Sequence, residues 1–317
     1  MKSYNVIGLM SGTSLDGLDI AYLMISKSGS KWDFSLLSAQ TVDIPEVLSQ
    51  KIQEAKEISG YDLCLLDIEI GSFFAREVQF FIKKNKLDRS KIDLIASHGQ
   101  TIFHQPKLGL TLQIGCGTTI AAKTGIPVVN DFRKKDVLYG GQGAPLVPIG
   151  DFSLFEQHAD SFLNIGGFTN VSYKLENGIQ AFDVSPGNLP LNLLAQENNL
   201  NYDAGGKIAQ SGDIDTALLQ QLNAIDFYEE SGPKSLGTEW LEECFYPLIN
   251  EGKNTKDTMR TVVEHIAFQI GNTLNTLACK KTMITGGGAH NNFLIERIRH
   301  HAKGEITIPS PDVIDFK

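Results

Sequence analysis

The sequence predicts an α/β protein built from two domains that share one architecture. Two apolar runs, residues 6–10 and 18–25, flank a turn rich in glycine and serine, which indicates a β-hairpin. The same order of apolar run, glycine-rich turn and apolar run begins again at Ser161. Helical patterns follow the strands in both halves. We therefore expect domains over residues 1–155 and 156–317, each of ordinary domain size.

Each further element follows from the spacing of its apolar residues. In the first half we expect strands at 34–42, 92–97, 111–114 and 127–130, with helices at 45–56, 61–86 and before Gly125. In the second half we expect strands at 162–165, 171–173, 180–184 and 283–285, with helices at 256–279 and 292–302. Two such domains would enclose a ligand cleft. Because hairpins are common, chance likeness of the two halves remains the alternative.

The charge balance argues against a polyanionic partner. Lys and Arg number 28 and Asp and Glu number 37, giving a formal net charge of −9. The densest basic cluster, residues 83–86, falls at the end of a predicted helix, where cations favour the helix dipole. We therefore predict binding neither to nucleic acid nor to an anionic membrane.

The cysteines and the N-terminal segment favour a cytoplasmic protein. Cys64, Cys116, Cys244 and Cys279 lie far apart without a C-x-x-C pair, which disfavours both a zinc site and a disulfide framework. The first apolar stretch is too short for a signal peptide, and nowhere do 18 apolar residues run together. We expect a cytoplasmic location without a membrane span.

The turn of the first hairpin has the residue types of a phosphate-binding loop. Glycine amides can approach an anion closely, hydroxyls can donate to it, and a carboxylate can hold a hydrated Mg²⁺. These candidates are Gly12, Thr13, Ser14, Leu15, Asp16 and Gly17. No G-K-[ST] follows and the next element is a strand, so this is not a Walker loop. An ordinary hairpin turn is the less favoured alternative.

Two further glycine clusters suggest contacts to a nucleotide. Gly166 and Gly167 form the matching turn of the second half, and Gly286, Gly287 and Gly288 join a predicted strand to a helix near Asn291. Consecutive glycines let a flat ligand lie against the backbone, and a helix start offers N–H groups to an anion. Together the three loops predict a nucleotide bound between the two domains.

Asp183 is a candidate for acid–base chemistry. It ends a predicted strand directly before a loop that contains Pro186 and Gly187. A carboxylate at that edge of a sheet can act as a base or a metal ligand. A turn or N-cap aspartate is the commoner alternative at such a position.

The segment after the strand at 92–97 suits a sugar. Ser97, His98, Gly99 and Gln100 alternate donors and acceptors, and no Cys or carboxylate is spaced to make them a metal site. Arg133 can pair with a substrate carboxylate in a bidentate manner. An ion pair with Asp131 or Asp136 is the competing interpretation of Arg133.

These segments, taken in order, resemble the anhydro-N-acetylmuramic acid kinases of bacterial cell-wall recycling. The blocks that carry the resemblance are residues 8–19, 97–104, 111–115, 131–133, 140–148, 164–167 and 286–291. The resemblance implies the fold of actin, hexokinase and the heat-shock-chaperone ATPases, with two ribonuclease-H-like domains around an interdomain cleft. It implies a homodimer that converts 1,6-anhydro-N-acetylmuramic acid, ATP and water to N-acetylmuramic acid 6-phosphate and ADP.

The resemblance also assigns roles to residues. Asp183 would be the general base that activates water. Residues 12–19, which extend the loop through Leu18 and Asp19, would hold the ATP phosphates with Mg²⁺. Residues 97–100 and Arg133 would hold the amino-sugar substrate and its carboxylate.

The chain departs from the family pattern in several places. Val184 and Ser185 stand where Thr-Gly is usual, Asn192 where Asp is usual, and Leu236 and Thr238 where Thr and Arg are usual. A binding protein with impaired catalysis is therefore the alternative function. The family also continues beyond this sequence with a helix that returns to the first domain, and we expect its absence to uncover apolar surface there.

Overall fold

The computed structural model describes residues 2–12, 15, 17–29, 31–176, 178–230, 233–249 and 254–316. The chain divides into two compact units, the first reaching Leu146 and the second spanning Val147–Asp315. The expected boundary at residue 155 lies somewhat later than this division. Each unit contains one five-stranded sheet and its own hydrophobic core.

The first unit begins with three long strands and then alternates strands with helices. Its strands are β1 (Lys2–Ser11), β2 (Leu18–Ser28), β3 (Lys31–Val42), β4 (Leu94–Ser97), β5 (Gln100–Gln105), β6 (Leu110–Ile114) and β7 (Val128–Val129). Its helices are α1 (Glu46–Glu54), α2 (Gly60–Lys84), α3 (Gly117–Thr124) and α4 (Lys134–Leu138).

The first sheet has the strand order β3-β2-β1-β4-β7. Strand β2 is antiparallel to its neighbours β1 and β3, whereas β4 runs parallel to β1 and β7. Helix α2 begins at the capping residue Ser59 and buries Phe73, Phe74 and Phe81 in the core of this unit. Strands β5 and β6 form a separate two-stranded ribbon.

The second unit repeats this plan with more helices. Its strands are β8 (Ser161–Ile165), β9 (Phe168–Leu175), β10 (Gly178–Pro186), β11 (Lys281–Thr285) and β12 (Glu305–Thr307). The helices are α5 (Val147–Leu154), α6 (Asn188–Gln196), α7 (Lys207–Gln210), α8 (Thr216–Asn223), α9 (Thr238–Trp240), α10 (Tyr246–Ile249), α11 (Thr255–Thr276), α12 (Asn292–His301) and, at the end of the described chain, α13 (Pro311–Phe316). A π-helical segment, Leu241–Phe245, joins α9 to α10.

The second sheet has the order β10-β9-β8-β11-β12, with the first three strands antiparallel and the last two pairings parallel. Strand directions and order therefore match those of the first sheet position for position. The expected duplication of one α/β architecture is confirmed. Of the described helices, none is both long and apolar enough to cross a membrane.

Helix α11 provides the centre of the second core. Its residues Val262, Val263, Ile266 and Ile270 are fully buried, as their helical spacing predicts. The same helix also buries Glu264 and His265. The core of this unit therefore contains polar groups that require partners within the protein.

Candidate functional site

The turn between β1 and β2 is shaped by close backbone contacts. Leu15 has a positive φ of 58°, and its amide donates to the Gly12 carbonyl at 3.2 Å. A Cβ at Gly17 would come within 2.7 Å of Thr41 Cγ2 and 2.9 Å of the Val42 carbonyl oxygen, so only glycine fits there. The predicted phosphate ligands Thr13, Ser14 and Asp16 lie outside the described residues.

Strand β2 continues this loop into the sheet. Leu18 is fully buried, so its side chain serves the core of the first unit. The Asp19 carboxylate accepts a 2.6 Å hydrogen bond from the Thr41 hydroxyl on β3. The sheet thus orients the one described carboxylate of the predicted loop.

Gln100 holds the tip of this hairpin. Its Oε1 accepts from the Ser11 hydroxyl at 2.5 Å, and its Nε2 donates to the Gly12 carbonyl at 3.2 Å. The Gln100 side chain is buried. This residue, predicted to contact the sugar, therefore connects the segment 97–100 to the predicted phosphate loop.

The buried His98 pairs with the half-buried Arg133. Arg133 Nε donates to His98 Nε2 at 2.9 Å, and Arg133 Nη1 donates to the Gly143 carbonyl at 2.7 Å. Because Nε2 accepts, the proton of the neutral imidazole is on Nδ1, which donates to the Gly99 carbonyl at 2.8 Å. Burial lowers the pKa of His98, and Arg133 lowers it further while the bond to Gly99 opposes the shift.

The competing ion pair for Arg133 is not formed within the described residues. The Asp136 carboxylate instead accepts a 2.7 Å hydrogen bond from the Gly143 amide. Asp136 thereby orients the loop whose carbonyl binds the Arg133 guanidinium. Burial lowers the pKa of Arg133, although an arginine keeps its charge under ordinary conditions.

Ser97 lies at the end of β4, next to this pair. Its side chain is fully buried, and its hydroxyl has no hydrogen-bond partner among the described residues. The amide of the following residue, His98, donates to the Leu9 carbonyl at 3.0 Å. Ser97, His98, Gln100 and Arg133 thus lie in one region of the first unit, and their role in binding a sugar stays a prediction.

The turn of the second hairpin binds the start of α6 through its backbone. The Gly166 carbonyl accepts from the Asn188 amide at 2.8 Å, and the Gly167 carbonyl accepts from the Gly187 amide at 2.8 Å. A Cβ at Gly187 would come within 2.4 Å of the Gly166 carbonyl oxygen. These contacts fix the first turn of α6 beside the predicted glycine loop.

The third glycine cluster connects β11 to α12. Gly286 has φ of 82°, and a Cβ there would come within 2.6 Å of Asn164 Oδ1. A Cβ at Gly288 would come within 2.1 Å of Ile165 Cγ2, whereas the nearest atom to one at Gly287 is 3.8 Å away. Asn291 caps α12 by accepting from the Leu294 amide at 3.0 Å.

A cavity of about 370 Å³ lies in the second unit where α6 faces this cluster. Of the predicted nucleotide contacts, Gly287, Gly288 and Asn291 line this cavity, whereas Gly166, Gly167 and Gly286 do not. The residues that line it are Asn188, Leu191, Asn192, Tyr202, Asp203, Gly205, Gly287, Gly288, His290 and Asn291. A cavity of this size, lined by glycine backbone, the apolar groups of Leu191 and Tyr202 and a few amide side chains, suits a flat ligand that carries some polar groups.

Several lining residues were missed by the sequence analysis. Tyr202 and Gly205 come from the segment before α7, where the pair Gly205 and Gly206 was an available signal. The Asp203 carboxylate accepts from the Ile208 and Ala209 amides at 2.9 and 3.0 Å, so it binds the first turn of α7. Asn192, the position that departs from the family pattern, also lines the cavity.

Asp183 lies within β10, which extends to Pro186 and not only to residue 184 as predicted. Its amide donates to the Lys234 carbonyl at 2.9 Å, and its Oδ2 accepts from the Leu236 amide at 2.8 Å. Asp183 is therefore not the N-cap of α6, a position occupied by Gly187. Burial raises the pKa of the Asp183 carboxyl, and the Leu236 hydrogen bond partly opposes this.

The two departures that follow Asp183 serve the packing of β10. The ladder with β9 shifts register between Asp183 and Ser185, which is a β-bulge around Val184. Val184 enters the hydrophobic core, and the Ser185 hydroxyl lies 2.9 Å from that of Thr169. Asp183, before the bulge, is half-buried, whereas Ser185, after it, is fully buried.

Two α/β units with the same strand order and directions fit the actin-like, ribonuclease-H-like fold that the resemblance implies. The anhydro-N-acetylmuramic acid kinase family model matches residues 4–315. The chain belongs to this family.

Curated relatives extend over almost the whole chain. An anhydro-N-acetylmuramic acid kinase of Crocosphaera subtropica is 36% identical, covering 98% of this chain and 88% of its own length. Kinases of the same description from Shewanella denitrificans and Bacillus cereus are 38% and 35% identical, covering 94% and 95% of this chain and 83% and 85% of their own lengths. The predicted family and kinase activity are confirmed at this level.

Proposed function

We propose that this chain phosphorylates 1,6-anhydro-N-acetylmuramic acid with ATP while water opens the anhydro ring. The observation that carries the proposal is the half-buried Asp183, whose Oδ2 is held by a backbone amide while its pKa is raised by burial. A carboxylate of raised pKa is a stronger base than a solvated one, and a general base must accept a proton near the working pH.

In this reaction Asp183 is the base that accepts a proton from the attacking water. The oxygen of water attacks the anomeric carbon, the bond from that carbon to O6 breaks, and Asp183 accepts the proton of the water. O6 then attacks the γ-phosphorus of ATP, and the bond from that phosphorus to the bridging oxygen of ADP breaks. Asp183 returns its proton to solvent after the product leaves.

We assign sugar recognition to the first unit. Arg133, held by His98 and the Gly143 carbonyl, retains N–H donors suited to the lactyl carboxylate of the substrate. The buried hydroxyl of Ser97 would donate to or accept from the sugar. Gln100 would link the sugar site to the phosphate loop, because its side chain forms hydrogen bonds with both Ser11 and Gly12.

We assign the nucleotide to the glycine-rich elements. The cavity beside Gly287, Gly288 and Asn291 would take the adenosine part of ATP. Residues 12–19 would bind phosphates, since phosphoryl transfer depends mainly on positioning and charge stabilisation. The hydroxyls and carboxylates of this loop are hard oxygen donors of the kind that Mg²⁺ binds, with water and phosphate oxygens as its other ligands. Asp16 would hold the ion through water, and the ion would offset the phosphate charge.

The homodimer implied by the resemblance and the cytoplasmic location favoured by the cysteines and the N-terminal segment belong to the same proposal. Sedimentation of the purified chain at several concentrations would test the dimer. A mass of twice 34.8 kDa is expected. A single species of 34.8 kDa would contradict it.

The first experiment measures ADP release from Mg-ATP with and without 1,6-anhydro-N-acetylmuramic acid, using glucose and N-acetylglucosamine as alternative sugars. We expect release only with the anhydro-sugar. Asp183→Asn should lower this release by about 10²- to 10⁴-fold, the usual contribution of a general base, while ATP binding persists. Asp213→Asn, which changes an exposed carboxylate of the same unit, is the matched control. Unchanged turnover of Asp183→Asn would exclude the base role.

A further inference from the structure

The backbone of the segment Lys234 to Leu236 forms two hydrogen bonds with Asp183. The Lys234 carbonyl accepts from the Asp183 amide at 2.9 Å, and the Leu236 amide donates to Asp183 Oδ2 at 2.8 Å. The first bond orients the backbone of Asp183, and the second orients its carboxylate. The second bond also leaves Oδ1 as the carboxylate oxygen without a bond to this segment.

The side chain of Lys234 anchors this segment to a neighbouring turn. Its Nζ donates to the Phe227 carbonyl at 2.6 Å and to the Glu230 carbonyl at 3.2 Å. The ammonium also lies 4.2 Å from the centre of the Phe227 ring, within the range of a cation–π interaction. Three contacts therefore hold the Lys234 side chain against the turn at residues 226–230.

That turn is itself fixed to the core of the second unit. Phe227 is buried and packs against Trp240, with ring centres 5.5 Å apart. The Tyr228 hydroxyl lies 2.8 Å from Nε2 of His265, a fully buried residue of α11. The turn that binds the Lys234 ammonium is thus packed against the core of the second unit.

We propose that Lys234 is a positioning residue for Asp183, keeping the Leu236 amide against the carboxylate that acts as the base. Lys234 performs this task through the backbone of its own segment and touches neither reactant. This inference rests on the proposed function for its kinetic consequence, but its structural part concerns Asp183 alone.

The electrostatics around Asp183 show what the anchor controls. Within the described residues, burial raises the pKa of Asp183 and the Leu236 amide lowers it. Removal of the amide would leave burial unopposed. The carboxylate would then take up a proton at higher pH and lose its fixed orientation.

The decisive variant is Lys234→Met, which keeps the aliphatic stem and removes the ammonium. Selective ¹³C labelling of aspartate carboxyls, with Asp183→Asn to assign the signal, reports the pKa of Asp183 directly. We expect that pKa to rise by about one unit, the effect of losing one hydrogen bond to a charged group. The acid limb of kcat/KM should move upward by the same amount, with kcat lowered about tenfold.

Two further variants separate positioning from general stability. Lys234→Arg retains a cation and donors and should restore both the pKa and the acid limb. Lys174→Met removes an exposed lysine from β9 of the same sheet, where it pairs with Glu156, and should change neither. If Lys234→Met fails to unfold cooperatively, Lys234→Gln, which keeps an uncharged NH₂ donor group, takes its place and should show a smaller shift.

An unchanged pKa of Asp183 in the folded Lys234 variant would overturn the proposal, even if kcat fell. A wild-type chain without sugar-dependent ADP release would instead overturn the proposed function. The carboxyl titration would still decide the role of Lys234 in that case.

Discussion

At the scale of single residues, the candidate site depends on polar groups whose partners fix their protonation state. His98 is the clearest case, because it donates through Nδ1 to Gly99 and accepts through Nε2 from Arg133. Only the neutral imidazole can make both bonds. Burial and the adjacent guanidinium hold its pKa below the usual value, so this neutral form dominates at neutral pH.

His98→Phe should therefore weaken sugar binding. The substitution removes the acceptor of the Nε–H of the half-buried guanidinium, and a hydrogen bond to a charged group contributes about 1.5–3 kcal/mol. We expect the KM for the sugar to rise about 10- to 100-fold with a smaller change in kcat. Steady-state kinetics with the sugar varied check this, and the KM for ATP is the internal control. Equal KM values for the sugar in both proteins would contradict the role of the pair.

At the scale of elements, two adjacent glycines at the β11–α12 junction perform different tasks. Gly288 allows the junction to pack against Ile165 of β8, where a Cβ would come within 2.1 Å of Cγ2. Gly287 lines the cavity, and a Cβ there would have no neighbour closer than 3.8 Å. Packing therefore requires glycine at 288, whereas the surface at Gly287 is available to a ligand.

Gly287→Val and Gly288→Ala should accordingly separate binding from stability. Valine at 287 would occupy the cavity, and we expect ATP affinity to fall about tenfold, equivalent to about 1.4 kcal/mol, with little change in Tm. Alanine at 288 would overpack the junction, at a cost of about 1–3 kcal/mol. Calorimetric titration with ATP and thermal unfolding measure the two effects. Full ATP affinity in Gly287→Val would exclude this cavity as the nucleotide site.

At the scale of the molecule, the second unit contains buried titratable groups that link its stability to pH. His265 is fully buried between the Tyr228 hydroxyl and Asn223 Oδ1, and burial lowers its pKa to about 3. Burial disfavours ionised Glu264, but hydrogen bonds from Arg297, Arg260 and His301 outweigh it and bring its pKa to about 2. Both groups bind protons more tightly in the unfolded chain.

The second unit should therefore be sensitive to acid. The stability contributed by His265 is complete above its ordinary pKa of 6.5 and is lost as the pH falls toward 3; at pH 5 the loss is about 2 kcal/mol. The contribution of Glu264 is lost between pH 4.5 and about 2. Calorimetry between pH 7 and 4 should show a falling Tm for this unit.

His265→Gln should reduce the difference in Tm between pH 7 and pH 5, because the titrating group is gone. His300→Gln changes an exposed histidine of α12 and is the control. A pH dependence that is identical in His265→Gln and in the wild type would contradict the assignment.

Much of the fold could be predicted because its elements depend on local spacing. The long hairpins, helix α2 and helix α11 appear where the apolar pattern indicates them, and the glycine turns fall between strands. The strand expected at 111–114 corresponds to β6, but its partner β5 was not predicted. One of the two buried residues of β5, Gln100, is polar, so no apolar alternation marks that strand. The expected end of the strand at residue 184 was also too early, because the bulge interrupts the alternation of β10.

The α/β class, the duplicated order of strands and the residue types of the candidate site could be inferred before any coordinates, since they follow from patterns among near neighbours and from the family blocks. The partners of those residues required the folded chain. Gln100 bonds Ser11 and Gly12, His98 bonds Arg133, and the Lys234 segment holds Asp183. Each of these contacts joins segments far apart in the chain. Local propensity depends only on near neighbours, so it does not determine which distant donor meets which acceptor once the sheets have formed.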